Sequence, residues 1–587
     1  MSHYDNKNHF TGDPLYDHEK DQYAQDVTVE VIEPKAEETH RSLKPRQISM
    51  IAIGGAIGTG LVIGSGTSIA RSGPASVFLA YIVMGAVARY GVGRGQGDSG
   101  ERPDLKSNRI ECGADGISSC FGVMTSLGEM STKFPSKKGF AGHATRCVDP
   151  AYGFCTALVY LCKYLFLSPN QIVAGSLVIR YWNAEINGAA WVTILICFVV
   201  AINCLGIKWF GEVEFWLSLI KIITLTGLII LGLIIDLGGV STQPRLGFHY
   251  WKDGKAFKPY KKTGAMGEFL GFVNALVLAL FAYMGTELIG VTVGEAKNPR
   301  KTVPSAIKKT FYRILFFYIF CILIVGMIVD SSGPALQAAV KKGTGGGAAA
   351  SPWVVAIVEA KIKVLPSIIN ACILIFTISA ANSDQYIASR TLYGMARDGN
   401  APAIFTRCTK RGVPWVAFIF TGCFMCLAYL VASNDGLTIF NYFTASVTIC
   451  GALSWISILA SHIAMMRGMK AQGISRDTLP YKAPFQPYYA ICCLVLTVLI
   501  AIFKGFDAFF HPFDYKSFIT HYITVPVYII GYFGYKFVRK TSYVRVDEMD
   551  LSSGGREFWD CEDDEEEEAA YKAMSFKQKL IWNLKNW

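Results

Sequence analysis

The sequence predicts an all-helical protein that crosses a membrane many times, and three observations carry that prediction. Of its 587 residues, 52% are hydrophobic and only 17% are charged, too apolar a balance for one soluble core. The apolar residues gather in blocks of about 20, the length that spans a bilayer as a helix. Alternating segments of about ten residues, which a membrane barrel requires, do not occur.

Trp191 to Gly206, Phe215 to Leu237, Thr310 to Val329, Trp415 to Ala432 and Phe518 to Phe537 are five of roughly twelve such blocks. Residues 1–45 are polar and lack an apolar stretch behind a basic start, so they read as a solvated tail and not as a signal peptide. The spanning domain is expected over 46–540, and 541–587 as a second tail holding the acidic run Asp560 to Glu568. Trafficking and ubiquitination machinery are the expected partners of the tails. An even helix number puts both termini on one side. Basic residues at Lys133 to Arg146, Lys297 to Arg313, Arg390 to Arg411 and Arg467 to Lys482 make that side cytoplasmic, although Arg245 to Lys262 dissents. The net charge of +11 thus reflects orientation and not nucleic-acid binding, since no continuous basic stripe exists. Most of the sixteen cysteines lie in apolar blocks and behave as small hydrophobes. Cys423 and Cys426 form a lone pair at CxxC spacing, so no metal, cofactor or disulfide framework is expected. No nucleophile with its base, and no phosphate loop, stands at usable spacing, so an enzyme is not expected.

The chemistry concentrates where helices should fail. The first span, Ser49 to Ala70, carries Gly54-Gly55-Ala56-Ile57-Gly58-Thr59-Gly60 at its centre, and each glycine costs about 1 kcal/mol against alanine in a helix. Unwound backbone at membrane depth survives only where protein buries it or where it lines a cavity. Close helix packing is the competing explanation. A second interruption decides between them: Phe281-Ala282-Tyr283-Met284-Gly285-Thr286-Glu287 breaks the sixth span and carries an acid. Breaks in the first and sixth spans are what two five-helix repeats of inverted topology require, with two further helices after them.

Arg41 to Gly66 (RSLKPRQISMIAIGGAIGTGLVIGSG), Ser126 to Met130 (SLGEM), Phe210 to Lys221 (FGEVEFWLSLIK), Gly285 to Pro304 (GTELIGVTVGEAKNPRKTVP) and Ser379 to Gly399 (SAANSDQYIASRTLYGMARDG) resemble the fungal amino acid permeases of the amino acid, polyamine and organocation superfamily. The resemblance runs from about Arg41 to Lys540. Cys162 to Gln171 (CKYLFLSPNQ) and His511 to Lys536 look most like the members that take up dicarboxylic amino acids. The resemblance implies twelve helices, a LeuT-like inverted repeat, proton symport and the plasma membrane, with glutamate and aspartate as substrates.

An acidic amino acid brings two carboxylates and one ammonium, and negative charge at mid-membrane needs a positive partner. Gly55, Ala56, Ile57, Gly58, Thr59 and Gly60 are expected to bind substrate, with the half-helix N-terminus at Gly58 to Gly60 taking the α-carboxylate, and carbonyls of the break at Phe281, Ala282, Tyr283 and Gly285 taking the ammonium. Phe281 and Tyr283 are also candidates for an aromatic gate. Lys163, about 18 Å along its helix from Ala151, is the candidate for the side-chain carboxylate, with a structural ion pair as the alternative. Glu287 and Lys221 are the candidates for proton coupling, or for charge pairs with each other, Glu129 or Glu214. Asn382 and Ser383 are further candidates for the cavity wall. A broad permease for neutral amino acids, or a sensor that binds without transporting, would share the same motifs.

One segment does not belong in a membrane. From Arg89 to Cys120 the chain holds seven glycines and five charges of each sign, in the middle of the second span. Removing it rejoins PASVFLAYIVMGAVA to FGVMTSLGEM as one normal span. The expectation is an intron translated in frame, absent from the working protein.

Overall fold

Glycines, prolines and side-chain caps cut the apolar blocks into helices. The computed structural model describes residues 50, 54–55, 57–85, 119–134, 139–183, 185–240, 243–252, 254–288, 290, 299–341, 351–409, 412–432, 436–551 and 575. In the first span Gly54 and Gly55 are helical, residues 57 and 58 bend, and the chain resumes through a π-turn at Gly60–Gly64 into α1 (Ser65–Ser72). Gly73, at φ +81°, turns the chain into α2 (Pro74–Gly85), and a Cβ there would lie 2.7 Å from the Ala256 carbonyl oxygen. Next come α3 (Ser119–Lys133) and the short α4 (Gly139–Cys147). Asp149 caps α5 (Pro150–Ile179) by accepting from the Ala151 N–H at 2.8 Å, with Pro150 at the first helical position. Asn187 caps α6 (Gly188–Cys204) in the same way, and Gly206 at φ +95° leads into α7 (Ile207–Asp236).

The second half repeats the plan of long helices around a break. It comprises α8 (Gly264–Tyr283), α9 (Pro299–Ile328), α10 (Pro334–Lys341), α11 (Pro352–Glu359), α12 (Leu365–Arg397), α13 (Trp415–Cys423), α14 (Gly436–Ala471), α15 (Tyr488–Phe503), α16 (Tyr515–Tyr522) and α17 (Thr524–Arg539). Among the described residues seven helices are long and apolar enough to cross a membrane, three shorter apolar ones accompany them, and no strand occurs.

Burial separates scaffold from lipid-facing helices. The apolar stretches of α5 and α14 are 72% and 78% buried, against 39% for Tyr488–Phe509, so the first two form the centre of the bundle. On α7 and at its cap, Trp209, Trp216, Ile223, Ile230 and Leu237 are exposed at intervals of seven, a stripe that suits hydrocarbon. Glu214, Ser218 and Lys221 form the opposite, buried stripe. The segment 86–118, which holds most of the expected insertion, lies outside the described residues. Ser119 and Cys120, the last two residues of the expected insertion, open α3, and the Cys120 thiol reaches the Thr286 hydroxyl at 3.5 Å.

The start of the region expected as a C-terminal tail packs against the bundle. Val544 donates its N–H to the Val148 carbonyl at 2.9 Å, and Gln472 donates to the carbonyls of Val546, Asp547 and Met549. Met549 and Leu551 are buried. The chain from 541 as far as Leu551, expected as tail, is therefore part of the packed bundle, and Met549 and Leu551 fill the space beside Gly468.

Candidate functional site

The two interrupted spans meet. A Cβ on Gly60 would sit 2.7 Å from the Ala282 Cα, so the backbones of the two breaks touch at a point only glycine permits. In the second break α8 ends at Tyr283, Met284 turns extended and Gly285 adopts φ +102°. Tyr318 holds the turn by donating to the Ala282 carbonyl at 2.8 Å, and the Tyr283 hydroxyl donates to the Tyr81 carbonyl at 3.1 Å.

A cavity opens beside this contact. Of the residues anticipated from the sequence, Gly55, Gly58, Thr59, Gly60, Phe281, Ala282 and Gly285 line it. Its other wall comes from Tyr164, Leu167 and Gln171 on α5, Met284, Asp384 on α12 and Val447 on α14, none of which the sequence singled out. Three buried polar atoms at this cavity lack a hydrogen-bond partner: Thr59 Oγ1, Gln171 Oε1 and Asp384 Oδ2. A polar guest in this space would give these atoms the partners that buried polar atoms usually have. The first span resumes at Thr59 with no side-chain cap, and Gly58, Thr59 and Gly60 at this helix start line the cavity, where a carboxylate is favoured.

The remaining anticipated residues stand behind the wall. Lys163 and Glu287 are both fully buried and form an ion pair with each other. Glu287 also accepts from the Gly285 N–H at 3.0 Å and from Trp455 Nε1 at 3.2 Å, while Lys163 lies 4.9 Å from the centre of the Tyr164 ring. Lys221 donates to the Gly54 carbonyl at 2.6 Å, and Ser218 to the Met50 carbonyl at 3.1 Å, so the buried stripe of α7 clasps the start of the first break. Asn382 faces α6 and α7, accepting from Asn203 at 2.7 Å and donating to Glu214 at 3.5 Å, and Ser383 is buried off the lining. Tyr283 packs on Tyr81 and Tyr318 with ring centres 5.7 and 4.6 Å away, so of the two gate candidates only Phe281 borders the cavity. Ile57 is buried outside the lining, and Ala56 lies outside the described residues.

One face of the bundle closes on a carboxylate. Glu129, at the end of α3, accepts both Nε and Nη2 of Arg476 at 2.9–3.0 Å and the Ala483 N–H at 2.8 Å, with His462 Nε2 3.4 Å away. This bidentate pairing ties α3 to the loop after α14.

Residues 47–90 and 116–548 match the family described as "Amino acid permease". The chain belongs to the amino acid permease family. The match lapses between 91 and 115, inside the polar segment of the second span. The permease is 44% identical over 570 residues to the "Dicarboxylic amino acid permease" of Saccharomyces cerevisiae, covering 96% of this chain and 87% of that protein. It is 35% identical to the "Proline-specific permease" of Emericella nidulans, covering 90% of this chain and 91% of that one, and 35% identical to the "Lysine-specific permease" of Saccharomyces cerevisiae, covering 92% and 83%. Among solved structures, a manganese transporter from Eremococcus coleocola superposes with a TM-score of 0.52 at 12% identity, covering 84% of this chain and 94% of that one. At that identity the likeness is one of fold. The permease is thus a membrane transporter of LeuT-like fold and not an enzyme, with an amino acid as its substrate and lipid around it.

Proposed function

We propose that this permease imports glutamate and aspartate together with protons across the plasma membrane, by alternating access, with both termini in the cytoplasm. The observation that carries the reading is the cavity between the two breaks, lined by the helix start at Gly58 to Gly60 and by the unpartnered polar atoms of Thr59, Gln171 and Asp384. The α-carboxylate docks at the N–H groups around Gly58 to Gly60, and carbonyls of the second break receive the ammonium. Lys163, one residue from the cavity-lining Tyr164 and paired with Glu287 behind the wall, receives the side-chain carboxylate by exchanging Glu287 for the guest. Glu287 and Lys221, each tied to one of the breaks, sense their movement during the cycle. The likeness to a dicarboxylic amino acid permease supports the acidic substrate.

A second reading, a permease for neutral amino acids, has its own support. Lys163 is neutralised by Glu287 and the cavity itself presents an acid, Asp384. Cells expressing the chain with and without residues 89–120 are given labelled glutamate at a series of external pH values, with unlabelled amino acids as competitors. Saturable uptake that rises as the medium is acidified, blocked by aspartate and not by proline or lysine, is expected of the shorter form. Uptake competed equally by neutral amino acids would favour the second reading, and uptake indifferent to pH would end the proton claim. The lapse of the family match within 89–120 supports reading that segment as absent from the working protein, which sequencing of the transcript decides.

A further inference from the structure

We propose that Asp384 takes up the coupling proton, and that its protonation is what admits an anionic amino acid to the cavity. The inference rests on the acidic-substrate reading above. Asp384 lines the cavity, is only 4% exposed, and leaves Oδ2 without a partner. The acids near it are committed elsewhere: Glu287 to Lys163, Trp455 and the Gly285 N–H, and Glu214 to Ser379 and Asn382. Each of those carboxylates is held by donors that stabilise its charge, so protonating one would forfeit bonds already made. Protonating Asp384 forfeits nothing at Oδ2.

The groups around Asp384 allow such a role. The Gln171 amide of α5 hydrogen-bonds it, and within electrostatic reach lie Lys163 and the hydroxyls of Tyr160 and Tyr164 from α5 and Lys221 and Glu214 from α7. The sequences of α6 and α13, which also pack on α12, contain no charged residue. Both lysines are already engaged, one by Glu287 and one by the Gly54 carbonyl. Glutamate carries a net negative charge, and a second carboxylate in the same enclosed space repels it. With a proton on Oδ2 the repulsion disappears and the acid becomes an O–H donor to the guest carboxylate. The proton comes from water on the side to which the cavity opens, forms one O–H bond, and is released to water on the other side after the substrate leaves.

Linkage makes this testable without any variant. If protonation raises glutamate affinity, glutamate binding must raise proton affinity by the same factor, typically about 5- to 150-fold. Purified permease in weakly buffered detergent solution with a pH indicator should take up about one proton per glutamate bound above the midpoint of the acid. Absence of proton uptake at every pH between 5 and 8 would overturn the proposal. In proteoliposomes, Asp384→Asn should lose the pH dependence of glutamate counterflow, and accumulation driven by an inward proton gradient should fall about tenfold or more. Asp384→Glu, which restores a titratable group, should recover accumulation with a displaced pH midpoint. An Asn variant that accumulates glutamate with the parental pH profile refutes the assignment. Should the permease import a neutral amino acid and not glutamate, the acidic-substrate reading fails by itself. The proton count and the Asn comparison, repeated with that amino acid, still decide whether Asp384 holds the proton.

Discussion

Gly60→Ala isolates the contact between the two breaks. The added Cβ would lie 2.7 Å from the Ala282 Cα and 3.2 Å from both the Ala282 Cβ and the Phe281 ring, whereas ordinary contact begins at 3.4 Å. The first of these neighbours is backbone and cannot rotate away, so one break has to retreat by about 0.7 Å. Overpacking of this kind costs about 1–3 kcal/mol, and if it falls on the state in which the breaks touch, KM for the transported amino acid rises about 5- to 150-fold. Gly58→Ala is the matched comparison, because its nearest new neighbour is Gln171 Nε2 at 3.7 Å, and it should do markedly less harm. Initial uptake rates over a range of substrate concentrations, normalised to the amount of permease at the cell surface, give both KM values. A Gly60→Ala permease with the parental KM would show that the breaks do not close on each other during transport.

Other consequences concern the buried charges. Glu287→Gln leaves Lys163 buried without its counter-ion and should cost about 3–5 kcal/mol, seen as a lower unfolding temperature in detergent, while Glu287→Gln with Lys163→Met should recover part of the loss. Arg476→Ala strips the buried Glu129 of its bidentate partner, so a reporter cysteine placed on the cavity wall should become more reactive from the face that carries Glu129. Lys221→Met removes the ammonium from the Gly54 carbonyl and should slow uptake with little change in unfolding temperature, since the methionine fills the same apolar space. A variant of Gly85 as small as alanine should be poorly tolerated, because its Cβ would fall 2.0 Å from the Tyr283 hydroxyl and displace the ring that buttresses the second break.

Both breaks were legible in the sequence because glycine in an apolar helix is costly enough to need a reason, and Gly285 indeed takes a positive φ. Which side of an unbroken helix faces the cavity was not legible. On α5 the lining residues Tyr164, Leu167 and Gln171 share one face, and Lys163, one step earlier, is turned about 100° away from it. The same step separates Asp384 from Ser383, and two steps carry Asn382 to α6 and α7. A helix that is apolar or small-polar all round gives no stripe from which its orientation can be read, so only the packing of neighbours fixes it. The buried stripe of α7 was readable in principle, since Glu214, Ser218 and Lys221 follow helical spacing opposite the tryptophans.

The strand of chain from Val544 to Leu551 bears on how this protein can be shortened. Stopping after Lys540, where the last helix ends, would strip the donor amide of Gln472 of all its acceptors and lay bare the flank of Gly468. A trimmed version for purification should therefore keep Leu551. A C-terminal tag or protease site therefore belongs after that residue, where adding it leaves the bonds of Gln472 and the cover of Gly468 in place.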